Sequence, residues 1–172
     1  MSQAAASPDV IRDIQRVDAA TVSKAAEYQS SILADVAGRR GALSGRIAPL
    51  APSMRFAGPA ITVEVRPGDN LMIHKALDMA EPGDIIVVDA GGDLTNSLFG
   101  ELMMSYAMQR KLGGVVLNGA VRDADIIAAG SFPFYAAGVT HRGPYKDGPG
   151  EINVPIALDG MVIQPGDLVI GD

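Results

Sequence analysis

Two short runs, "DIIVVDA" at residues 84–90 and "GVVLNG" at 114–119, limit this chain more than any other feature. Each is nearly all apolar and rich in Val and Ile, the pattern of a strand covered on both faces. Between them lies "LFGELMMSYAMQRKL", residues 98–112, which reads as a helix ending at Gly113. Strand, helix and strand in this order make a parallel βαβ unit. Both strands run into glycine-rich turns, "GGDLTNS" and "NGAVRD". Ligands in open α/β sheets bind where strands end and loops begin, so two neighbouring strands here would open both turns on one crevice.

The remaining segments add to this unit. Ser7-Pro8 reads as a helix start, with Val10, Ile11, Ile14 and Val17 following at helical spacing, and a second helix is expected from Ala19 to about Ala37. "GRRGALSGRIAPL" is a loop, and "PAITVEVRP" alternates as a strand does. "DNLMIHKALDMA" is a helix capped by Asp69 and stopped by Pro82-Gly83. Asp123 is placed to cap a short helix through Ala129. "FPFYAAG" and "VTHRG" read as strand pieces, and "PYKDGPGE" as a polar turn. Residues 152–172 read as a hairpin around Asp159-Gly160 followed by one more strand. The class is therefore α/β, parallel in the middle and antiparallel in the C-terminal third, with a mixed sheet or two packed sheets.

Composition narrows the chemistry. The 172 residues, 48% of them hydrophobic, suffice for one domain with its own core, with residues 1–6 as a tail. The absence of cysteine removes disulfides, thiolate zinc sites and cysteine nucleophiles. A net charge of −6 argues against nucleic acid as a partner, and 5% aromatic content without Trp argues against a stacking surface. No apolar run approaches the ~20 residues that span a bilayer. "MSQAAASPDVIRD" lacks the basic and apolar blocks of a signal peptide, so a soluble, cytoplasmic protein is the expectation.

The candidate chemistry lies at the two turns. Backbone amides at the helix start near Leu98–Met103 could receive a carboxylate or phosphate; an ordinary loop capped by Asn96 or Ser97 is the plainer alternative. Arg122 carries a planar fork suited to a carboxylate or an α-keto acid. Asp123 is a hard oxygen ligand suited to Mg²⁺ or Mn²⁺. Adjacent, they could bind a substrate and its metal together; alternatively Asp123 caps a helix and Arg122 forms a surface ion pair. Glu101 is expected one turn into the helix beside the same crevice, as a proton-transfer group or a solvated first-turn acid. Lys146 is a flexible anion contact or a solvated loop charge. His74 and His141 stand alone, without metal-ligand spacing, and no nucleophile elbow is present.

"PGDIIVVDAGGDLTNSLFGELMMSYAMQRKLGGVVLNGAVRDAD", with "GPYKDGPGEINVPI" and "PGDLVIGD", resembles the 4-hydroxy-4-methyl-2-oxoglutarate aldolases. These share a fold with the regulator of ribonuclease E activity A, and the likeness covers about residues 18–172. No glycine-rich methyl-donor loop of a methyltransferase is visible. The resemblance implies a three-layer β/β/α arrangement like the phosphohistidine swivelling domain, assembled as a homotrimer or homohexamer with sites near subunit boundaries. It implies a class II aldolase that uses Mg²⁺ or Mn²⁺ to cleave 4-hydroxy-4-methyl-2-oxoglutarate, or a related 4-hydroxy-2-oxo acid, to pyruvate, with oxaloacetate decarboxylation as a side activity. The family signature is an acid, a fixed interval and Arg-Asp, which Glu101, residues 102–121 and Arg122-Asp123 match. The aldolases commonly carry Asp where this chain has Glu101; the regulator branch replaces the Asp that this chain keeps as Asp123. By the same resemblance Gly100, Glu101, Leu102 and Met103 form a substrate loop and Arg122 is the substrate arginine. Asp123 is then the metal ligand, and Lys146 lies near the substrate. Members of the family continue past "GD" with a strand and a helix, and some complete the site with an acid from a neighbour. The alternative from another class is a non-catalytic, protein-binding regulator of a ribonuclease.

Overall fold

A computed structural model describes residues 10–172. Its elements are α1 (Ala19–Ala25), α2 (Ser30–Val36), β1 (Ala48–Pro49), β2 (Phe56–Val65), α3 (Leu71–Met79), β3 (Ile85–Asp89) and β4 (Ser97–Phe99). They continue as α4 (Glu101–Gln109), β5 (Gly114–Val121), α5 (Ala124–Ala129), β6 (Phe134–Val139), β7 (Gly150–Ile152), β8 (Ile156–Leu158), β9 (Met161–Ile163) and β10 (Leu168–Gly171).

The two apolar runs are parallel neighbours, paired from Ile85↔Gly114 to Asp89↔Asn118. They sit inside one sheet of order β1-β6-β5-β3-β2-β10, with β4 added on β5 and β7 on β2. The β2, β3, β5 and β6 pairings are parallel, whereas β10 and β7 join β2 antiparallel. Every residue of β5 is buried, as the unbroken apolar run requires. Helix α3 places Met72, Ile73, Ala76 and Leu77 in the core. The separate β8–β9 hairpin adds Ile156, Leu158 and Ile163 to the same core. Its turn residues Asp159 and Gly160 have φ of +48° and +80°, the left-handed pair that a two-residue hairpin demands. The arrangement is the expected α/β class, a mixed sheet in a β/β/α layering.

Three expectations need correction. Ser7 and Pro8 lie outside the described residues, but residues 11–18 are not helical. Val10 bridges Ile152, Asn153 Nδ2 donates to the Ile11 carbonyl, and Arg16 grips the buried Asp84 through two bonds of 2.9 Å. Long-range partners thus satisfy this backbone and override a spacing that fitted a helix. The long helix from Ala19 to Ala37 is two short ones, broken at residues 26–29, and α2 buries no residue. Finally, Leu98 and Phe99 are strand, so α4 begins at Glu101.

Asp69 joins two segments that flank the crevice. Its Oδ1 accepts from the Leu71 amide at the start of α3, 2.9 Å, and its Oδ2 accepts from the Asp147 and Gly148 amides at 2.7 and 2.9 Å. Burial pushes this carboxyl upward, but the three amides and nearby Arg66 outweigh burial and hold it below the usual carboxylate value. A depressed folded value means that the contribution is present above the unfolded value, about 3.9, and is lost as pH falls through the lower folded value. Asp69→Ala should therefore cost about 2–4 kcal/mol at pH 7 by urea unfolding. That deficit should shrink when the comparison is repeated in acid below about pH 4; a pH-independent deficit would mean that packing, not the carboxylate, is at work.

Candidate functional site

The end of β5 and the start of α4 meet because β4 pairs with β5 in parallel, Ser97 with Ala120 and Phe99 with Val121. The Arg122 amide donates to the Phe99 carbonyl at 2.9 Å, which lays Gly100 against Arg122 and Asp123. Asp123 has φ of +56°, a left-handed backbone that few residues other than glycine adopt. By position it caps α5, yet its side chain makes no cap bond there. Instead Asp123 Oδ2 accepts from the Glu101 amide at 3.0 Å, so Asp123 caps the neighbouring helix α4. Arg122 Nε stands 3.7 Å from the same oxygen, and both side chains remain partly exposed. Arginine and aspartate thus face one point rather than serving two unrelated surface roles.

Gly100 is extended, and here glycine is needed for space. A Cβ would lie 2.7 Å from Asp123 Oδ2 and 2.9 Å from Arg122 Nε. Of the first-turn amides of α4, that of Glu101 is taken by Asp123. Those of Leu102 and Met103 have no acceptor one turn back in the helix, as for any helix start. The first-turn amides left without a helical acceptor are therefore those of Leu102 and Met103, because the helix starts at Glu101 and not at Leu98. The glycine pair upstream is not free either: the Gly91 amide donates to Asp89 Oδ1 and the Gly92 amide to the Asn118 carbonyl. Glu101 is the first helical residue rather than one turn inside, and its side chain is exposed.

A small cleft of about 30 Å³ opens here, lined by Asn70, Leu98, Gly100, Leu102, Met103 and Arg122 among others. Lys146 is exposed and is not among the lining residues; it rides on the loop that Asp69 anchors, whose Pro144 does line the cleft. His74, one turn along α3 from Asn70, is held below its usual pKa by burial and then by the Lys146 ammonium. A larger apolar groove of about 650 Å³ lies elsewhere, between α2, Phe56, Tyr135 and the β9–β10 region, and contains none of the Arg122, Asp123 or Glu101 side chains. Asn70 escaped the sequence reading because an Asn beside Asp69 at a helix start looks like part of a cap.

The fold and this arrangement define a class, an α/β chain with an Arg-Asp pair set against a helix N-terminus at the end of a central strand. The family model described as RraA-like, Aldolase/RraA, matches residues 11–172, and the chain belongs to that family. A relative from Halalkalibacterium halodurans named putative 4-hydroxy-4-methyl-2-oxoglutarate aldolase is 43% identical over 130 residues, 76% of this chain. The match spans only 62% of that relative's length. A Thermus thermophilus protein named 4-hydroxy-4-methyl-2-oxoglutarate aldolase is 33% identical over 69% of this chain and 71% of its own. A solved structure described as the RNA-processing inhibitor RraA from the same genus and species superposes with a TM-score of 0.78 at 29% identity, covering 84% of this chain and 88% of its own. No helix among the described residues is long and apolar enough to cross a membrane.

The left-handed backbone at Asp123 yields a stability test. Asp123→Ala and Asp123→Gly both remove the carboxylate from the Glu101 amide, but only glycine accepts φ of +56° without cost. The glycine variant should be the more stable of the two by about 1 kcal/mol in urea unfolding. Equal stabilities would mean that the chain at this position relaxes freely.

Proposed function

We propose that this chain is a class II aldolase that cleaves a 4-hydroxy-2-oxo acid of the 4-hydroxy-4-methyl-2-oxoglutarate type to pyruvate, with oxaloacetate decarboxylation as a side activity. The observation that carries the reading is the meeting of Arg122 and Asp123 with the first turn of α4, beside a cleft that Arg122, Leu102 and Met103 line and Asp123 and Glu101 do not. Relatives named as aldolases support it.

On this reading the Leu102 and Met103 amides, at the positive end of α4, receive the substrate carboxylate. The Arg122 fork donates to the keto oxygen, where negative charge gathers as the carbon–carbon bond breaks. Glu101, exposed at the first helical position, orients a water that takes the proton of the 4-hydroxyl as the carbon–carbon bond breaks and the new carbonyl forms, and then returns a proton to the enolate carbon. Among the described residues no three His, Cys, Asp or Glu side chains stand together as a cage. A hard cation that keeps most of its waters and takes one carboxylate suits such a site, so Asp123 would hold Mg²⁺ or Mn²⁺. When bound, that ion supplies Lewis-acid stabilisation of the developing enolate. Several apolar side chains are exposed around the site, Leu102 by 79%, Val139 by 59% and Leu94 by 46%. They fit burial by another subunit in a homotrimer or homohexamer.

The rival reading, a protein-binding regulator without catalysis, is favoured by the structural likeness to a protein described as an RNA-processing inhibitor. Pyruvate release separates the two. EDTA should abolish release from 4-hydroxy-4-methyl-2-oxoglutarate, and Mg²⁺ or Mn²⁺ should restore it; no release under any metal condition favours the regulator. Arg122→Lys keeps the charge but loses the planar grip, so turnover should fall at least ~10²-fold. A lysine variant within a few-fold of the parent would reduce Arg122 to an ion-pair partner.

A further inference from the structure

The groove of about 650 Å³ beside β10 takes no part in the site at Arg122. Much of its wall is hydrocarbon, from Leu33 and Ala34 of α2 and from Leu43, Val116, Ile163 and Val169. Pockets that take small molecules run from ~300 to ~1,000 Å³ and are mostly apolar, with a few polar groups that fix orientation. Two contacts fasten the outer wall, residues 30–45, to the rest of the chain. Ser30 donates to Asp172 through its amide at 2.8 Å and through its hydroxyl. Ser44 donates to Asp159 at 2.6 Å, and Arg46 pairs with the same carboxylate.

Helix α2 needs something to pack against. It has seven residues and buries none of them. An isolated helix shorter than ~12–15 residues is marginal in water, and most helices in proteins owe their stability to a packed apolar face. Leu33 and Ala34 line the groove but stay half-exposed, as do Leu43 and Val169. A hydrocarbon chain laid between α2 and the sheet would bury these side chains and give α2 the packing it lacks.

The charges of the lining say what such a chain should carry at its end. They are Arg40, Asp167 and Asp172. Both carboxylates are engaged, Asp172 by Ser30 and Asp167 by the Gln164 amide at 2.8 Å. The arginines in ion pairs among the described residues are Arg16, Arg46, Arg66 and Arg122, not Arg40. Arg40 thus lines the groove as its one unengaged charge, with its side chain exposed.

We infer that this groove binds a straight-chain monocarboxylate, with its hydrocarbon chain under α2 and its carboxylate on the Arg40 fork. A guanidinium gives a carboxylate two parallel bonds. An uncharged chain would leave Arg40 idle, and a cationic one would meet it as a like charge. The competing occupant is a second copy of this chain, because β10 is the edge strand of the sheet and borders the groove. The charges oppose that pairing. Asp167 and Asp172 flank β10, so two β10 strands paired antiparallel about their centre would set Asp167 of each copy opposite Asp172 of the other. This site is independent of the aldolase reading of Arg122 and Asp123.

Isothermal titration calorimetry of the whole chain tests this with decanoate, octanoate and decanol as probes. Decanoate should bind at one site. Octanoate, two methylenes shorter, should bind about tenfold more weakly, the scale of two methylenes removed from water. Decanoate affinity should fall as salt is raised and decanol affinity should not, because only the first uses an exposed charge pair. Those comparisons need no variant. Arg40→Gln should weaken decanoate at least ~3-fold at low ionic strength and leave decanol unchanged. Ala34→Trp, which fills the groove from α2, should abolish binding of both. No decanoate binding, equal affinity for octanoate and decanoate, or the same response of decanoate and decanol to salt and to Arg40→Gln overturns the assignment. A dimer in light scattering that takes up no decanoate overturns it as well, and gives the groove to a second copy.

Discussion

The parallel pairing of β3 with β5 is the constraint on which the rest of the site depends. Both strands are buried in a continuous ladder, so neither can shift register without moving apolar side chains out of the core. Parallel neighbours need a crossover, and residues 90–113 supply it. That crossover does not go directly into a helix. It first adds β4 beside the end of β5, which extends the sheet and sets Gly100 against Arg122 and Asp123. Only then does α4 begin, with its N-terminus already facing the end of β5.

The bond from the Glu101 amide to Asp123 is the seam between the two halves. It uses one orphan amide of α4 and one oxygen of a residue held in a left-handed conformation. A side chain that capped its own helix α5 would have turned away from α4. The strained backbone and the missing cap are thus two aspects of one choice: the carboxylate is directed to the neighbouring helix rather than to its own. Strain of this sort persists where surrounding structure over-determines it, here the β5 ladder on one side and α5 on the other.

Sequence alone made the central unit legible because its signals are local. Unbroken apolar runs such as 85–88 and 115–117 can be read without knowing their partners, and the Asp159-Gly160 turn carries its own backbone geometry. What was not legible depends on partners far away in the chain. Residues 11–18 run extended because Ile152, Asn153 and Asp84 satisfy them, and no pattern within the segment records that. The same holds for Leu98, whose place in a strand is decided by its neighbours on β5. At the site, Arg122 and Asp123 stood out as adjacent charges, whereas Asn70 is a neutral residue whose place in the cleft wall is decided by its bonds to Leu98 and Met103.

The polarity of the cleft follows from these placements and bears on what the proposed site would select. Arg122 and the first turn of α4 supply donors, which suit the oxygens common to all 2-oxo acids. Such a set grips pyruvate, oxaloacetate and longer diacids with little discrimination, because each presents the same carboxylate and keto group. Discrimination must come from a group that only some of them possess. Rejection of an analogue is strongest where a buried polar atom would otherwise be left unpaired, far stronger than where a pocket merely lacks a methylene contact. Shared recognition through these donors would let a single site carry both an aldol cleavage and a decarboxylation, with selection left to the groups that meet the substituents at carbon 4.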